Sequence, residues 1–121
     1  MRERATEMNS ESIKSTDQEL AELTAIFRLL ADKTRLNILL LLVAGERNVT
    51  SLCDDLKLPQ PTVSHHLGLL RMGNVIDNRR SGKQVFYGLH GKIGAVDSQC
   101  VLIQLAGHEI RISRKTQQLV D

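Results

Sequence analysis

The pattern of apolar and polar positions divides the chain into a helical part followed by a part of alternating character. Apolar residues recur at helical spacing in three successive stretches, and these predict helices over Asp17–Leu30, from Asp32 to about Ala44, and from Asn48 through Leu56. Asp32 can cap the second helix and Gly45 can end it, while Asn48 precedes the apolar residues of the third helix. On the first helix Leu20, Leu23, Phe27 and Leu30 are predicted to share one face, and on the second Leu36, Leu39, Leu40 and Val43 are predicted to be buried.

A fourth helix, following the turn at Lys57–Gln60, has the most informative pattern in the chain. Pro61 suits the first turn of a helix, where a missing N–H has no consequence. One side of the helix is an apolar stripe, and the opposite side is small, hydrogen-bonding and free of acidic residues. A surface of that kind can lie in the major groove of DNA without steric or electrostatic penalty. The stripe is formed by Val63, Leu67 and Leu70, and the opposite side by Ser64, His65 and Gly68.

Two β-like runs, residues 75–80 and 84–89, come next and predict a hairpin with Gly82 in its turn. In the second run, alternate apolar residues fall on one face, as in a half-buried strand. The tip of the hairpin carries three basic residues, Arg79, Arg80 and Lys83. A helix followed by a basic hairpin is the layout of a winged helix-turn-helix, so the predicted fold class is α+β and mostly helical.

The residues from His90 onward form a C-terminal extension with two sets of alternating apolar positions on either side of Gly107. This pattern predicts a second hairpin, and the β-branched content favours strands. A dimerisation helix over residues 100–114 is the alternative, because the same apolar residues can be drawn onto one broad stripe. The predicted organisation is a disordered polar tail at 1–16, a winged helix-turn-helix domain at 17–89 and the extension at 90–121.

The distribution of charge, more than its total, bears on function. The 121-residue chain has 16 basic and 14 acidic residues, a net charge of +2. Between Gln60 and Gln84, however, there are four basic residues and one acid, a local charge of +3. A local positive patch beside a groove-compatible helix is the footprint expected for contact with phosphates.

Composition and motifs exclude several other classes of function. With only three aromatic residues, the chain has no stacking platform for single-stranded nucleic acid. No apolar run is long enough to cross a bilayer, and the N-terminus has no signal-peptide core, which favours the cytoplasm. Two cysteines in such a chain are expected to be free thiols. Without a metalloprotease HExxH, a phosphate loop or a nucleophile elbow, we expect no enzyme.

Three segments together carry a resemblance to a known family: Leu30–Leu39, Pro59–Leu67 and Arg79–Tyr87. In this order they resemble the ArsR family of bacterial repressors, over a region from about Leu20 to Leu89. The resemblance implies a homodimer that binds double-stranded operator DNA and leaves it on binding a metal ion or on oxidation. It also implies DNA contacts by Gln60, Thr62, Ser64 and His65 from the helix, and by Arg79, Arg80 and Lys83 from the wing. Arg71, the remaining basic residue of the local patch, completes the predicted set of DNA contacts.

The sensing sites of the family are not clearly present. One family site uses two cysteines spaced one residue apart, and the matching positions here are Asn48 and Thr50, neither of which is a thiolate. A second family site lies on a C-terminal dimerisation helix. If the extension is a hairpin instead, the dimer interface is expected to rest more on the first helix. The nearest candidates in the extension for metal ligands are Asp97, Cys100, His108 and Glu109, which form no clean ligand pattern.

We therefore expect no required cofactor, and the inducer stays open. Thiol redox sensing through Cys53 and Cys100 is the alternative to a metal. His65 and His66 cannot close on one ion, because adjacent side chains on a helix point about 100° apart. His65 is expected to face DNA and His66 to pack with a satisfied ring nitrogen.

The competing hypothesis is a winged-helix module that binds protein instead of DNA. That hypothesis predicts an apolar patch on the exposed side of the fourth helix and a neutral or acidic wing. The sequence has a polar helix face and a basic wing. It therefore favours a sequence-specific DNA-binding transcriptional regulator.

Overall fold

The computed structural model describes residues 14–97 and 99–115, and within them the chain folds into helices followed by two small antiparallel sheets. The predicted tail at 1–16 lies mostly outside the described residues. The helices are α1 (Asp17–Leu30), α2 (Lys33–Leu42), α3 (Val49–Leu56) and α4 (Gln60–Met72). The strands are β1 (Arg47–Asn48), β2 (Ile76–Ser81), β3 (Gln84–Leu89), β4 (Ile93–Asp97), β5 (Cys100–Gln104) and β6 (Glu109–Ser113).

Side-chain caps fix the beginnings of the first three helices. Thr16 and Glu19 form a reciprocal capping box at α1, with both hydrogen bonds 3.0 Å long. The Asp32 carboxylate accepts the backbone N–H of Arg35 at 2.9 Å at the start of α2. The Asn48 amide oxygen accepts the backbone N–H of Ser51 at 2.8 Å at the start of α3. These contacts satisfy N–H groups that the helices cannot bond internally. The cap at Asp32 was predicted from the sequence, and the capping box at Thr16 was not.

A single core joins the helices to both sheets. Leu40 was predicted to be buried in α2, and this was wrong, since 48% of its surface is exposed while Leu39 and Leu42 point inward. In α1, Leu20 and Phe27 are likewise half exposed. The core residues are Ile26, Leu30, Ile38, Leu39, Leu42, Leu52, Val63, Leu67, Leu70, Val75, Ile76, Ile93, Val101 and Ile103.

The predicted wing forms as an antiparallel sheet in the order β1-β3-β2. Its register pairs Arg79 with Phe86, and Arg80 with Val85. The tight turn between β2 and β3 contains Gly82 with φ of +63°, a conformation that glycine adopts without strain.

The C-terminal extension is a second sheet in the order β4-β5-β6, so the predicted hairpin is confirmed over β5 and β6 and the alternative helix does not form. Alternate residues Val101 and Ile103 are fully buried against the helices. The hairpin turn is held to α1, because the Glu22 carboxylate accepts the backbone N–H of Ala106 at 2.9 Å. Strand β4 was not predicted, since only Ile93 in it is buried and no alternating pattern marks it.

Candidate nucleic-acid interface

Helix α4 presents the two faces that its sequence predicts. Val63, Leu67 and Leu70 are at most 1% exposed and fix the helix to the core. On the other side, Ser64 and His65 are exposed. A β-carbon added at Gly68, also on the exposed side, would meet no atom within 4 Å. The result is a smooth polar face with room for the edges of base pairs.

The beginning of α4 is open and free of acidic residues. Pro59 precedes the helix without any side-chain cap, and the first turn contains Pro61 and no carboxylate. The partial positive charge of the helix N-terminus is therefore not neutralised by a side chain of that turn. Gln60 is exposed there and Thr62 is half buried.

A groove separates the start of α4 from the wing. The groove is lined by residues of the α3 start, the α4 start and the wing tip: Asn48, Val49, Thr50, Gln60, Lys83, Gln84 and Val85. Gln60 of the helix and Lys83 of the wing thus share one surface. The structure brings the two predicted sources of DNA contact together at this groove.

His66 holds α4 to the corner between α1 and α2. Its side chain is 14% exposed, and its Nδ1 accepts a hydrogen bond from Nη1 of Arg35 at 3.2 Å. Arg35 in turn donates from Nε to the carbonyl of Leu29 at 2.6 Å. The prediction that His66 packs with a satisfied ring nitrogen is confirmed.

Asp32 lies at the same corner as Arg35 and His66. The hydrogen bond from the backbone N–H of Arg35 holds the pKa of the Asp32 carboxyl below the ordinary value, and the nearby charge of Arg35 acts in the same direction. The Asp32 carboxylate lies 3.9 Å from the side chains of both Arg35 and His66. The corner is therefore a small polar network that supports the inner side of α4.

The basic residues predicted to contact DNA differ in whether they form ion pairs within the protein. Among the residues that the structure describes, Arg71, Arg80 and Lys83 are exposed and form no ion pair. Arg79 instead donates from Nε to both carboxylate oxygens of Glu46, at 2.9 and 3.0 Å. Among these predicted contacts, the cations without an ion pair to a described residue are thus two at the wing and one at the end of α4.

Glu46 is a residue that sequence analysis missed. It lies 33 positions from Arg79 in the chain, and no local pattern marks it. Its hydrogen bond with Arg79 lowers the pKa of the Glu46 carboxyl, and the same bond raises the pKa of the Arg79 guanidinium. Both groups therefore stay ionised over a wide range of pH.

The candidate metal ligands of the extension do not come together. No group of three or more His, Cys, Asp or Glu side chains within residues 14–97 and 99–115 could hold a metal ion. Asp97, Glu109 and His108 each contact a different residue. Asp97 accepts the N–H of Gln99, Glu109 lies 3.9 Å from Arg111, and His108 lies 2.9 Å from the Ser15 hydroxyl.

The two cysteines are free thiols in different parts of the core. Cys53 is half buried on α3, and Cys100 is buried on β5. The Cys100 sulfur accepts a hydrogen bond from the Ser113 hydroxyl at 3.1 Å, and an Arg111 guanidinium nitrogen lies 3.8 Å away.

A recognition helix with a polar exposed face, flanked by a two-stranded basic wing, defines a winged helix-turn-helix protein. The sequence model described as "Bacterial regulatory protein, arsR family" matches residues 32–77. The chain belongs to the ArsR family. No helix among the described residues is long and apolar enough to span a membrane.

Comparison with individual proteins agrees with this assignment. The chain is 46% identical over 71 residues to the arsenical resistance operon repressor of Escherichia coli, covering 58% of this chain and 61% of that one. It is 44% identical over 63 residues to an HTH-type transcriptional regulator of Methanocaldococcus jannaschii, covering 51% of this chain and 71% of that one.

A solved structure with a similar fold agrees with this assignment. The homodimeric winged helix-turn-helix DNA-binding domain of a Mycobacterium bovis protein matches with a TM-score of 0.57 and 30% identity. The match covers 64% of this chain and 75% of that domain. The chain spans only about three fifths of the length of the first curated relatives, 58% and 61%.

Proposed function

We propose that this protein is a transcriptional repressor that binds a double-stranded operator as a homodimer. The observation that carries the proposal is the acid-free exposed face of α4, next to a wing whose Arg80 and Lys83 are exposed and free of ion pairs among the described residues. The competing hypothesis of a protein-binding module predicts an apolar patch on that face. Ser64 and His65 stand there instead.

In the proposed complex each protomer sets α4 in one major groove. Gln60, Thr62, Ser64 and His65 meet base edges and nearby phosphates, while Arg71 and the wing cations meet the backbone. The two grooves lie about one helical turn, roughly 34 Å, apart on a pseudo-palindromic site. Operator binding takes place in the cytoplasm, and no catalytic step is part of this proposal.

The proposed dimer interface includes the exposed side of α1. Leu20 and Phe27 are 47% and 54% exposed on a helix whose other side contributes Ile26 and Leu30 to the core. Seven positions apart, they lie on nearly the same side of the helix. The homodimeric state of the Mycobacterium bovis domain supports a second copy of this chain as the partner.

We propose that the protein needs no cofactor to bind DNA. The structure gives no support to a metal-sensing site within one protomer, because the candidate ligands in the described residues do not come together. These candidates are Asp97, Cys100, His108 and Glu109. Oxidation of a thiol is the alternative means by which the protein would be released from DNA. The candidate thiol is the buried Cys100, whose sulfur has two hydrogen-bond donors beside it.

The experiment that tests the function is a salt-titrated binding assay of the purified protein on its own upstream DNA. A scrambled duplex of equal length is the control. We expect tight binding to the upstream DNA that falls linearly with the logarithm of salt concentration, and much weaker binding to the control. Equal affinity for both duplexes, or no binding at any salt, would favour the protein-binding module.

Repeating the assay with zinc and with an oxidant separates the modes of sensing. Release by oxidant and not by zinc would identify a thiol switch, and Cys53→Ser and Cys100→Ser would show which thiol is needed. Release of the protein from DNA by zinc would contradict the proposal that one protomer has no metal-sensing site.

A further inference from the structure

We infer that Arg79 is a positioning residue that fixes the wing through Glu46, whereas its neighbour Arg80 is the wing arginine that meets phosphate. The two adjacent arginines therefore have different tasks. This inference rests on the proposed DNA-binding function and sharpens it at the wing.

The pleat of the wing sheet places the two arginines on opposite faces. Successive side chains of a strand point to opposite sides, and directly opposed residues of paired strands share a side. Arg80 is opposite Val85, and Arg79 is opposite Phe86. Arg79 and Arg80 therefore point to opposite faces of the wing, and only Arg79 lies on the face where Phe86 and Glu46 contact it. Arg80 is exposed on the other face and forms no ion pair among the described residues.

Arg79 is held in place from two directions. Besides the two bonds from Nε, its Nη2 lies 2.8 Å from Oε1 of Glu46. Its guanidinium carbon lies 4.9 Å from the centre of the Phe86 ring. The charge-assisted contact to both carboxylate oxygens and the aromatic face of Phe86 both stabilise the Arg79 guanidinium in this position. Arg79 would lose these contacts if its side chain turned towards a phosphate.

Glu46 connects this arginine to the helix-turn-helix. It directly precedes β1, whose Arg47 pairs with Asp55 of α3. Asn48, at the end of β1, caps α3 and also donates to the side-chain oxygen of Gln84 at 3.3 Å. The Glu46–Arg79 pair therefore ties β2, the outer strand of the wing, to the segment that leads into the helix-turn-helix.

The chain leaves room for Glu46 at Gly88. A β-carbon added at Gly88 would stand 3.1 Å from Cγ of Glu46. Because glycine has no side chain, the Glu46 stem can lie flat against β3 and present its carboxylate to Arg79. The ion pair is thus accommodated by the sheet on which it lies.

The test compares Arg79→Gln, Glu46→Gln and their double variant with Arg80→Gln, in the salt-titrated assay on the upstream DNA. We expect Arg80→Gln to reduce the salt slope by about one unit. Arg79→Gln and Glu46→Gln should each weaken binding by about two- to tenfold, with the slope unchanged and with no further loss in the double variant.

Two results would overturn the inference. Arg79→Gln would lower the slope by about one unit if Arg79 contacted a phosphate. Glu46→Gln would then tighten binding, because it removes a negative charge and releases a cation. Our inference predicts the opposite sign for Glu46→Gln, so the two explanations are separable with that single variant.

A second measurement needs no DNA. In amide hydrogen exchange, we expect residues 76–89 to exchange faster in Arg79→Gln and Glu46→Gln than in Arg80→Gln, which should match the natural chain. Equal exchange in all variants would overturn the positioning role. If the natural protein bound no DNA, the proposed function would fail, and the exchange data would still decide whether the pair holds the wing.

Discussion

Neighbouring residues of the recognition helix have opposite environments, and the step of about 100° per residue explains this. His65 is exposed on the outer face, while His66 accepts a hydrogen bond from Arg35 on the inner face. The two rings contact each other edge to face, with centroids 5.5 Å apart. The exposed residue is available to a ligand, and the inner one holds the helix in position.

At this scale we predict that Ser64→Ala and His65→Gln change which operator sequence is preferred. Each removes or alters a side chain that we place at base edges, and loss of a good base contact costs about 1–3 kcal/mol of discrimination. The measurement is selection from a randomised operator library. Gln104→Ala, an exposed polar change on the C-terminal sheet, is the control and should leave the preference unchanged.

Equal weakening on all sequences would contradict the assignment of Ser64 and His65 to base readout. Such a result would make them positioning contacts to the backbone. Arg71 and Arg80, by contrast, are expected to affect all sequences alike.

At the scale of elements, local chemistry sets the helix boundaries. Thr16, Asp32 and Asn48 each accept a backbone N–H from the first turn of their helix. Each of these contacts joins residues only three positions apart. The cap at Asp32 was predicted from the sequence, whereas the cap at Thr16, the last residue of the predicted polar tail, was not. Strand β4 has no comparable local pattern and depends on its pairing with β5.

We predict that Asp32 makes the stability of the fold depend on pH in the acid range. Its pKa is lowered in the folded protein, so the folded state binds fewer protons there than the unfolded state. The stabilisation from the Asp32 carboxylate is therefore complete above its ordinary pKa of 3.8, and it is lost as the pH falls through the lowered value.

Urea unfolding of the natural chain and of Asp32→Asn, from pH 7 down to pH 2, measures this effect. Asn also caps helices well, so the cap is kept while the charge is removed. We expect the variant to be less stable at pH 7 and the difference to shrink as the acid is protonated. A difference that stayed constant with pH would contradict a role for the charge.

At the scale of the whole molecule, the C-terminal sheet packs against the helices. It adds Ile93, Val101 and Ile103 to their core, and its turn is bonded to α1. One side of α1 stays uncovered in the single protomer, with Leu20 and Phe27 half exposed. That side is the surface through which we expect two copies to associate.

We predict that Phe27→Glu converts the dimer into a monomer, because it places a charge in an apolar interface. Operator affinity should then fall by about a hundredfold, since two half-sites are no longer engaged together. Sedimentation velocity measures the first effect and the DNA-binding assay the second.

Val96→Glu is the matched control, because Val96 is also a half-exposed apolar residue but lies on β4. We expect that variant to stay dimeric. A dimeric Phe27→Glu together with a monomeric Val96→Glu would move the interface from α1 to the C-terminal sheet.

The sequence by itself determined the helices, the cap at Asp32, the two faces of α4, the wing hairpin and the hairpin of the extension. All of these follow from periodicity, capping and turn chemistry, which act between residues close together in the chain. The resemblance carried by its three motifs also identified the family before any contact was known.

Only the tertiary structure decided which apolar residues are covered and which charged residues are paired. Leu40 is as apolar as a core residue, yet it is half exposed, because the packing of α2 turns Leu39 and Leu42 inward instead. Arg79 and Arg80 are equivalent in the sequence. The pairing of β2 with β3 and the position of Glu46 give the two arginines different surroundings. The contact between Glu46 and Arg79 joins residues 33 positions apart, so it exists only once the chain has folded.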